Sequence, residues 1–177
     1  MATREDTVTI RLGPRPGDLG VVLAMHGALY AEEFGYTEEF EAYVARGLAG
    51  FAAALGAARE DPSRSTPGWL WLAERDGEVL GTVALTDEGA GSGQLRWFLI
   101  APQARGGLGA ALLDTVLAQA RTVGMTGIAL WTVDGLDAAA RLYNRAGFRR
   151  AEERPVHRWG QDLLEVRYAM ALPPEGG

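Results

Sequence analysis

The chain has 177 residues, long enough for a sizeable core, and we expect a single domain over 1–177. Apolar residues make up 47% of it and charged residues 23%, which is typical of a soluble globular protein. The formal net charge of −6 argues against a nucleic-acid partner, and the absence of cysteine excludes disulfides, thiolate metal sites and a cysteine nucleophile.

Two further observations bear on location and on metal chemistry. The amino-terminal Met1–Asp6 lacks the apolar run of a signal peptide, and the small apolar stretch 48–58 is far too short to span a membrane. We therefore expect a cytoplasmic protein with no membrane partner. His26 and His157 lie far apart in the chain, so we expect no metal site.

Apolar periodicity and turn residues predict the elements of the first half of the chain. Asp18 is expected to cap the first helix, which ends within Glu32–Tyr36. Asp76-Gly77 suits the tight turn of a hairpin. The predicted elements are a strand over 8–12, a helix from 18, a helix from 37 with an apolar stripe from Phe40 to Leu55, a loop over 61–68, and strands over 69–74 and 79–85.

Strands and helices alternate in the second half. After the glycine-rich loop 89–93, the apolar run 95–100 predicts a strand, which Pro102 ends because proline cannot donate to a sheet ladder. Asp134 is expected to cap the last helix, and Gly147 to end it. The remaining predicted elements are a helix over 108–123, strands over 127–133, 148–153 and 163–170, and a loop over 155–160.

The glycine turn between the strand 95–100 and the helix 108–123 favours anion binding. The first N–H groups of a helix have no internal partner, and glycines let a phosphate approach the backbone. Neither Gly-x-Gly-x-x-Gly nor Gly-Lys-Ser/Thr occurs here, so the turn is neither a dinucleotide fingerprint nor a P-loop. A tight connection without a ligand is the alternative interpretation.

The order of elements, β-α-α-β-β-β-α-β-α-β-β, resembles that of the GNAT N-acetyltransferase superfamily over the whole chain. Leu142–Phe148 resembles its Leu-Tyr-x-x-x-Gly-Phe signature, and Ala104–Ala110 resembles its pyrophosphate loop with one residue fewer. The resemblance implies an α/β (α+β) fold with a mixed central sheet of about seven strands flanked by four helices. It also implies acetyl-CoA as co-substrate.

The shortened loop leaves two alignments open. Gly107 and Gly109 are the phosphate glycines, or Arg105 keeps the place of the motif arginine and Leu108 falls at the central glycine. Sterics favour the first, because a leucine side chain would obstruct a phosphate there.

A narrower resemblance is to acetyltransferase domains found fused to MarR-type regulators. It rests on four segments of this chain: His26-Gly27, Tyr30–Tyr36, Leu130-Trp131-Thr132 and Gly160–Leu163.

The superfamily resemblance implies roles for individual residues. Tyr143 would protonate the leaving thiolate, since a phenol stays protonated at neutral pH. Glu33 is the first choice for the base, although a chain of waters could do the same. The implied acetyl-CoA contacts are Leu99, Ile100, Arg105, Gly106, Gly107, Leu108, Gly109, Ala110 and Asn144; the implied acceptor-site residues are His26, Tyr30, Trp131, His157 and Trp159.

These observations predict an acetyl-CoA-dependent N-acetyltransferase acting on a primary amine of a small molecule, peptide or protein. Two alternatives remain open: a module that binds acyl-CoA without turnover, and a scaffold that no longer binds it. The acceptor is not readable from the sequence, and a homodimer is left open.

Overall fold

The computed structural model describes residues 7–173, so the predictions for Met1–Asp6 and for the end of the carboxyl-terminal tail lie outside the described residues. Within these residues, four helices and seven strands follow one another in the predicted order, and there is one short 3₁₀ turn, Pro102–Ala104. The elements are β1 (Thr9–Gly13), α1 (Asp18–Phe34), α2 (Glu38–Glu60), β2 (Gly68–Arg75), β3 (Glu78–Gly89), β4 (Ser92–Ile100), α3 (Leu108–Thr122), β5 (Gly127–Val133), α4 (Asp137–Ala146), β6 (Arg149–Arg158) and β7 (Gln161–Ala171).

All seven strands belong to one mixed sheet with the order β1-β2-β3-β4-β5-β7-β6. Every neighbouring pair is antiparallel except β4 and β5, which are parallel. The predicted fold class is therefore confirmed.

Each face of the sheet carries its own core, as the alternation of side chains along a strand requires. Leu70 and Leu72 of β2 face α1 and α2, where they join the buried residues Val22, Phe40, Val44, Leu48 and Phe51. Trp71 and Ala73, which alternate with them along β2, face the other side and join Leu112, Leu113, Val116 and Leu117 of α3. The sheet thus lies between two layers of helices, and both layers contribute residues to the candidate active site.

Two predicted helix caps are wrong. Gly17, not Asp18, is the N-cap of α1, because the Asp18 carboxylate accepts two hydrogen bonds from the Arg11 guanidinium, each 2.8 Å long. Likewise α4 begins at Asp137 with Leu136 as its N-cap, and Asp134 instead accepts a hydrogen bond from Arg150 Nη1 at 3.0 Å. In both cases an arginine elsewhere in the fold takes the carboxylate.

Two predicted loops are also wrong. The loop over 89–93 is a tight turn at Ala90-Gly91, whose φ angles of 52° and 75° suit a two-residue hairpin. The loop over 155–160 is mostly strand, because β6 and β7 stay paired as far as Arg158 and Gln161. β6 lies at the edge of the sheet, where a proline such as Pro155 is tolerated.

Candidate active site

The sheet opens between its two parallel strands. β4 and β5 pair only from Ser92 and Gly127 to Gln94 and Ala129. Beyond that point β4 pairs with β3 alone. The edge of β4 that faces β5 is therefore unpaired from Leu95 to Ile100, and its backbone groups are available to a ligand.

A bulge in β4 marks the point of divergence. The register with β3 jumps from Thr82 opposite Leu99 to Ala84 opposite Arg96, and Trp97 has a φ of 45°. A bulge bends and twists its strand, which turns the end of β4 away from β5.

The gap holds a cleft of about 530 Å³, which we call the donor cleft. Phe98, Leu99 and Ile100 of β4 form one wall and the beginning of α4 the other. The end of α1 and the glycine turn before α3 complete it. The remaining lining residues are Leu29, Tyr30, Glu33, Phe34, Arg105, Gly106, Gly107, Gly109, Ala110, Gly135, Leu136, Asp137, Ala138, Ala139, Leu142, Tyr143 and Arg145.

The glycine turn presents free backbone donors to this cleft. Gly106 and Gly107 have φ angles of 132° and 131°, a conformation that residues with a Cβ rarely adopt. The N–H of Ala111 is the first in α3 to bond to the preceding turn, donating to the Gly107 carbonyl at 3.1 Å. The N–H groups of Leu108, Gly109 and Ala110 are thus the unpaired donors that make helix N-termini bind anions.

Gly107 and Gly109 line the donor cleft, whereas Leu108 does not. Gly107 is also the N-cap of α3. The Leu108 side chain packs against the α3 core and lines a separate cavity behind the turn. Asn144 does not line the donor cleft, whereas the next residue, Arg145, does.

An ion pair closes one side of the donor cleft. Arg105 Nη2 donates to Glu33 Oε1 at 2.6 Å, joining the glycine turn to the last turn of α1. Glu33, the predicted base, therefore lines the donor cleft. Its carboxylate binds Arg105, which is the residue predicted to contact the pyrophosphate of acetyl-CoA.

A second cavity, of about 130 Å³, lies beyond the bulge, and we call it the acceptor cavity. Tyr36, Phe40, Tyr43 and Trp159 form an aromatic wall, with Trp159 4.8 Å from Phe40 and 5.0 Å from Tyr36 between ring centroids. Of the residues predicted for the acceptor site, His26, Tyr30 and Trp131 line the same cavity.

The turn between β6 and β7 covers this aromatic wall. The Thr37 N–H donates to the Trp159 carbonyl at 3.2 Å, and Gln161 Nε2 donates to the Phe34 carbonyl at 2.6 Å. Both bonds fix the turn to the junction of α1 and α2. His157 is not part of the cavity: its side chain is 73% exposed and bonds to Asp162.

The two spaces meet at four residues that line both: Tyr30, Phe98, Leu136 and Tyr143. Tyr143 is only 6% exposed and packs against Phe98, Phe148 and Tyr168. Burial raises the pKa of Tyr143 well above its usual value, and that of Tyr30 to about 12. Both phenols at the junction are therefore protonated at neutral pH.

His26 lies in the acceptor cavity as a neutral imidazole. It is 3% exposed, and burial lowers its pKa to about 4. Its Nδ1 lies 2.8 Å from the Val22 carbonyl, which can only accept, so Nδ1 carries the proton and Nε2 the lone pair.

Two charged residues of the acceptor cavity were missed from sequence. Arg96 and Glu165 occupy strand positions where the pattern indicated only core or solvent-facing residues, and both line the cavity. A charge within an otherwise apolar run, as Arg96 is within 95–100, was the available signal. Residues 7–173 contain no group of three or more histidine, aspartate or glutamate side chains placed to hold a metal ion.

None of the described helices is long and apolar enough to cross a membrane.

A curated relative matches part of this chain. Rat N-acetyltransferase 8 is 33% identical over 112 residues, which are 59% of this chain and 50% of that protein. The chain thus spans about half the length of this curated relative.

Solved structures share the fold. A GNAT-family acetyltransferase from Staphylococcus aureus Mu50 has a TM-score of 0.75 at 19% identity, covering 94% of this chain and 100% of that one. YncA from Salmonella typhimurium, solved with its cofactor acetyl-CoA, has a TM-score of 0.72 at 18% identity, covering 97% of both chains. The model of the acetyltransferase (GNAT) family matches residues 28–148, which is more than half of the chain, and the protein belongs to that family.

Proposed function

We propose that this protein transfers the acetyl group of acetyl-CoA to a primary amine. The observation that carries the proposal is the position of Tyr143, a protonated phenol that lines both the donor cleft and the acceptor cavity. An acid at that junction can serve a thiolate leaving on one side while an amine attacks from the other.

The donor cleft fits acetyl-CoA on three counts. The free N–H groups at Gly109 and Ala110, with Arg105 and Arg145 beside them, suit a pyrophosphate. The unpaired edge of β4 at Leu99 and Ile100 suits the amides of the pantetheine arm, which would bind like a further strand. The open space at the Cβ positions of Gly106 and Gly107 lets phosphate oxygens reach the backbone.

The residues around the junction of the donor cleft and the acceptor cavity have different roles in this reaction. Acetyl-CoA supplies the activated thioester. Tyr143 holds the proton for the departing sulfur, and its burial keeps that proton in place at neutral pH. His26 Nε2 offers a lone pair within the acceptor cavity, suited to orient a neutral amine. Glu33, which lines the donor cleft, stays the sequence-based prediction for the base.

The proposal extends to the domain organisation, location and relatives of the protein. We propose that a single domain carries the activity, and that the protein is cytoplasmic and needs no metal. We further propose that its nearer relatives are the acetyltransferase domains fused to MarR-type regulators.

The test is release of free thiol from acetyl-CoA in the presence of a panel of primary amines, with mass spectrometry of the amine products. We expect thiol release that depends on the amine and an acetyl group on that amine. Binding of acetyl-CoA without thiol release from any amine would favour the non-catalytic module instead.

A further inference from the structure

Arg96 of β4 lines the acceptor cavity, and its guanidinium has no carboxylate beside it among the described residues. Its Cζ lies 4.6 Å from the centre of the ring of Trp97, which lines the same cavity. Among residues 7–173, no carboxylate oxygen lies within 4 Å of its guanidinium nitrogens. A half-buried cation in an aromatic cavity has lost part of its hydration without gaining a counter-charge.

Helix α2 leaves room for this guanidinium. A Cβ at Gly47 would lie 2.8 Å from Arg96 Nη2 and 3.2 Å from Trp97 Cζ2. Glycine in a helix interior is destabilising relative to alanine. Here it leaves space beside α2 for the Arg96 guanidinium and the Trp97 ring.

The one carboxylate that lines the acceptor cavity is already occupied. Glu165 Oε2 accepts from Arg154 Nε at 2.7 Å, and Glu165 Oε1 accepts from Arg158 Nη1 at 3.0 Å. Two guanidiniums thus compensate one acid, and His26 adds no charge at neutral pH. The surroundings of the cavity are positive, which disfavours acceptors that carry several positive charges, such as polyamines.

We propose that the acceptor is a free amino acid: a small primary amine whose own carboxylate binds Arg96. This deepens the proposed function and rests on it. An arginine fork matches a carboxylate bidentately, which fixes the orientation of the molecule as well as its charge. The aromatic wall then receives an apolar side chain, and the amine is left for the end of the cavity at Tyr143.

The small size of the cavity favours a free amino acid over a peptide or protein. Its volume is about 130 Å³, and the β6–β7 turn is bonded across it at Thr37 and Phe34. In a peptide that continues beyond this carboxyl carbon, the carboxylate is replaced by an amide. The Arg96 guanidinium would then have no anion to bind.

The experiment compares acceptors that share a primary amine and an apolar side chain and carry a carboxylate, an amide or a hydrogen at the same position. L-leucine, L-leucinamide and 3-methylbutylamine, and the corresponding phenylalanine series, are assayed by thiol release from acetyl-CoA. A hydrogen bond to a charged group is worth about 1.5–3 kcal/mol, so kcat/KM should favour the acids over the amides by about 10- to 150-fold.

Arg96→Gln should lower kcat/KM for the acids far more than for the amides, so that the ratio of the two falls to about one, and Arg96→Lys should retain part of the preference. Gly47→Ala, which crowds the guanidinium without altering its charge, should reduce the preference in a chain that still folds. Arg64→Gln is the matched control, since Arg64 is an exposed loop arginine outside both cavities. Equal rates on acids and amides, a peptide as the best acceptor, or a preference that survives Arg96→Gln would overturn the proposal.

A binding measurement separates this proposal from the transferase activity. N-acetyl-L-leucine should raise the unfolding temperature and N-acetyl-L-leucinamide should not, with the effect lost in Arg96→Gln. If no amine gives thiol release but the acid alone stabilises the protein, the transferase proposal fails and the carboxylate site stands. If neither compound stabilises it, the carboxylate site is refuted.

Discussion

Replacing His26 should change how the stability of this protein depends on pH. In the folded state burial lowers the pKa of His26 to about 4, against about 6.5 in an unfolded chain. Between these values the unfolded state binds the proton and the folded state does not. The contribution of the neutral His26 side chain to the free energy of unfolding is therefore fully present above pH 6.5 and is lost as the pH falls towards 4.

The size of the effect follows from the two pKa values. Integrated from pH 7.5 to pH 5, one histidine with this shift removes about 2 kcal/mol from the free energy of unfolding. His26→Asn keeps a donor for the Val22 carbonyl but does not titrate in this range. Other groups, such as Asp18, titrate in both proteins, so their contributions cancel in the difference.

The assay is urea denaturation of the parent and of His26→Asn at pH 7.5, 6.5, 5.5 and 5.0. We expect the variant to be less stable at pH 7.5, because the smaller side chain leaves a void. The difference in free energy of unfolding between the two proteins should narrow by about 2 kcal/mol at pH 5. A difference that stays constant with pH would refute the burial of a neutral imidazole.

Two further predictions concern the donor cleft. Gly107→Asp should weaken acetyl-CoA binding at least about tenfold in calorimetry, through charge repulsion and a strained φ of 131°, whereas Gly124→Asp, at another glycine of positive φ but outside the cleft, should not. Glu33→Gln should alter the KM for acetyl-CoA and leave kcat nearly unchanged, because Glu33 holds Arg105 and does not line the acceptor cavity. A loss of kcat by about a hundredfold or more would instead establish Glu33 as the base.

The elements with a strong local signal were predictable from the sequence. Apolar periodicity located α3, the Asp76-Gly77 turn located its hairpin, and Pro102 marked the end of β4. These features depend on neighbours within a few residues, and tertiary contacts did not override them. The caps failed for the opposite reason, since Asp18 and Asp134 are taken by arginines that are adjacent only in the fold.

The donor cleft was easier to predict than the acceptor cavity. Its glycine turn is contiguous in sequence, so the pattern of residues 105–110 was visible as a motif. The acceptor cavity gathers Phe40 from α2, Arg96 from β4, Trp159 from the β6–β7 turn and Glu165 from β7. Phe40 was read as part of a core stripe, and only the β4 bulge and the covering turn bring these residues together.

We propose that Tyr143 supplies the proton where the donor cleft and the acceptor cavity meet. The measurement is kcat and the acetyl-CoA dissociation constant of Tyr143→Phe, with Tyr168→Phe as the control, because Tyr168 packs against the Tyr143 ring but lines neither space. We predict a fall in kcat of about 10- to 1000-fold with nearly unchanged acetyl-CoA affinity for Tyr143→Phe, and no such fall for Tyr168→Phe. Turnover by Tyr143→Phe at the parental rate would contradict the account.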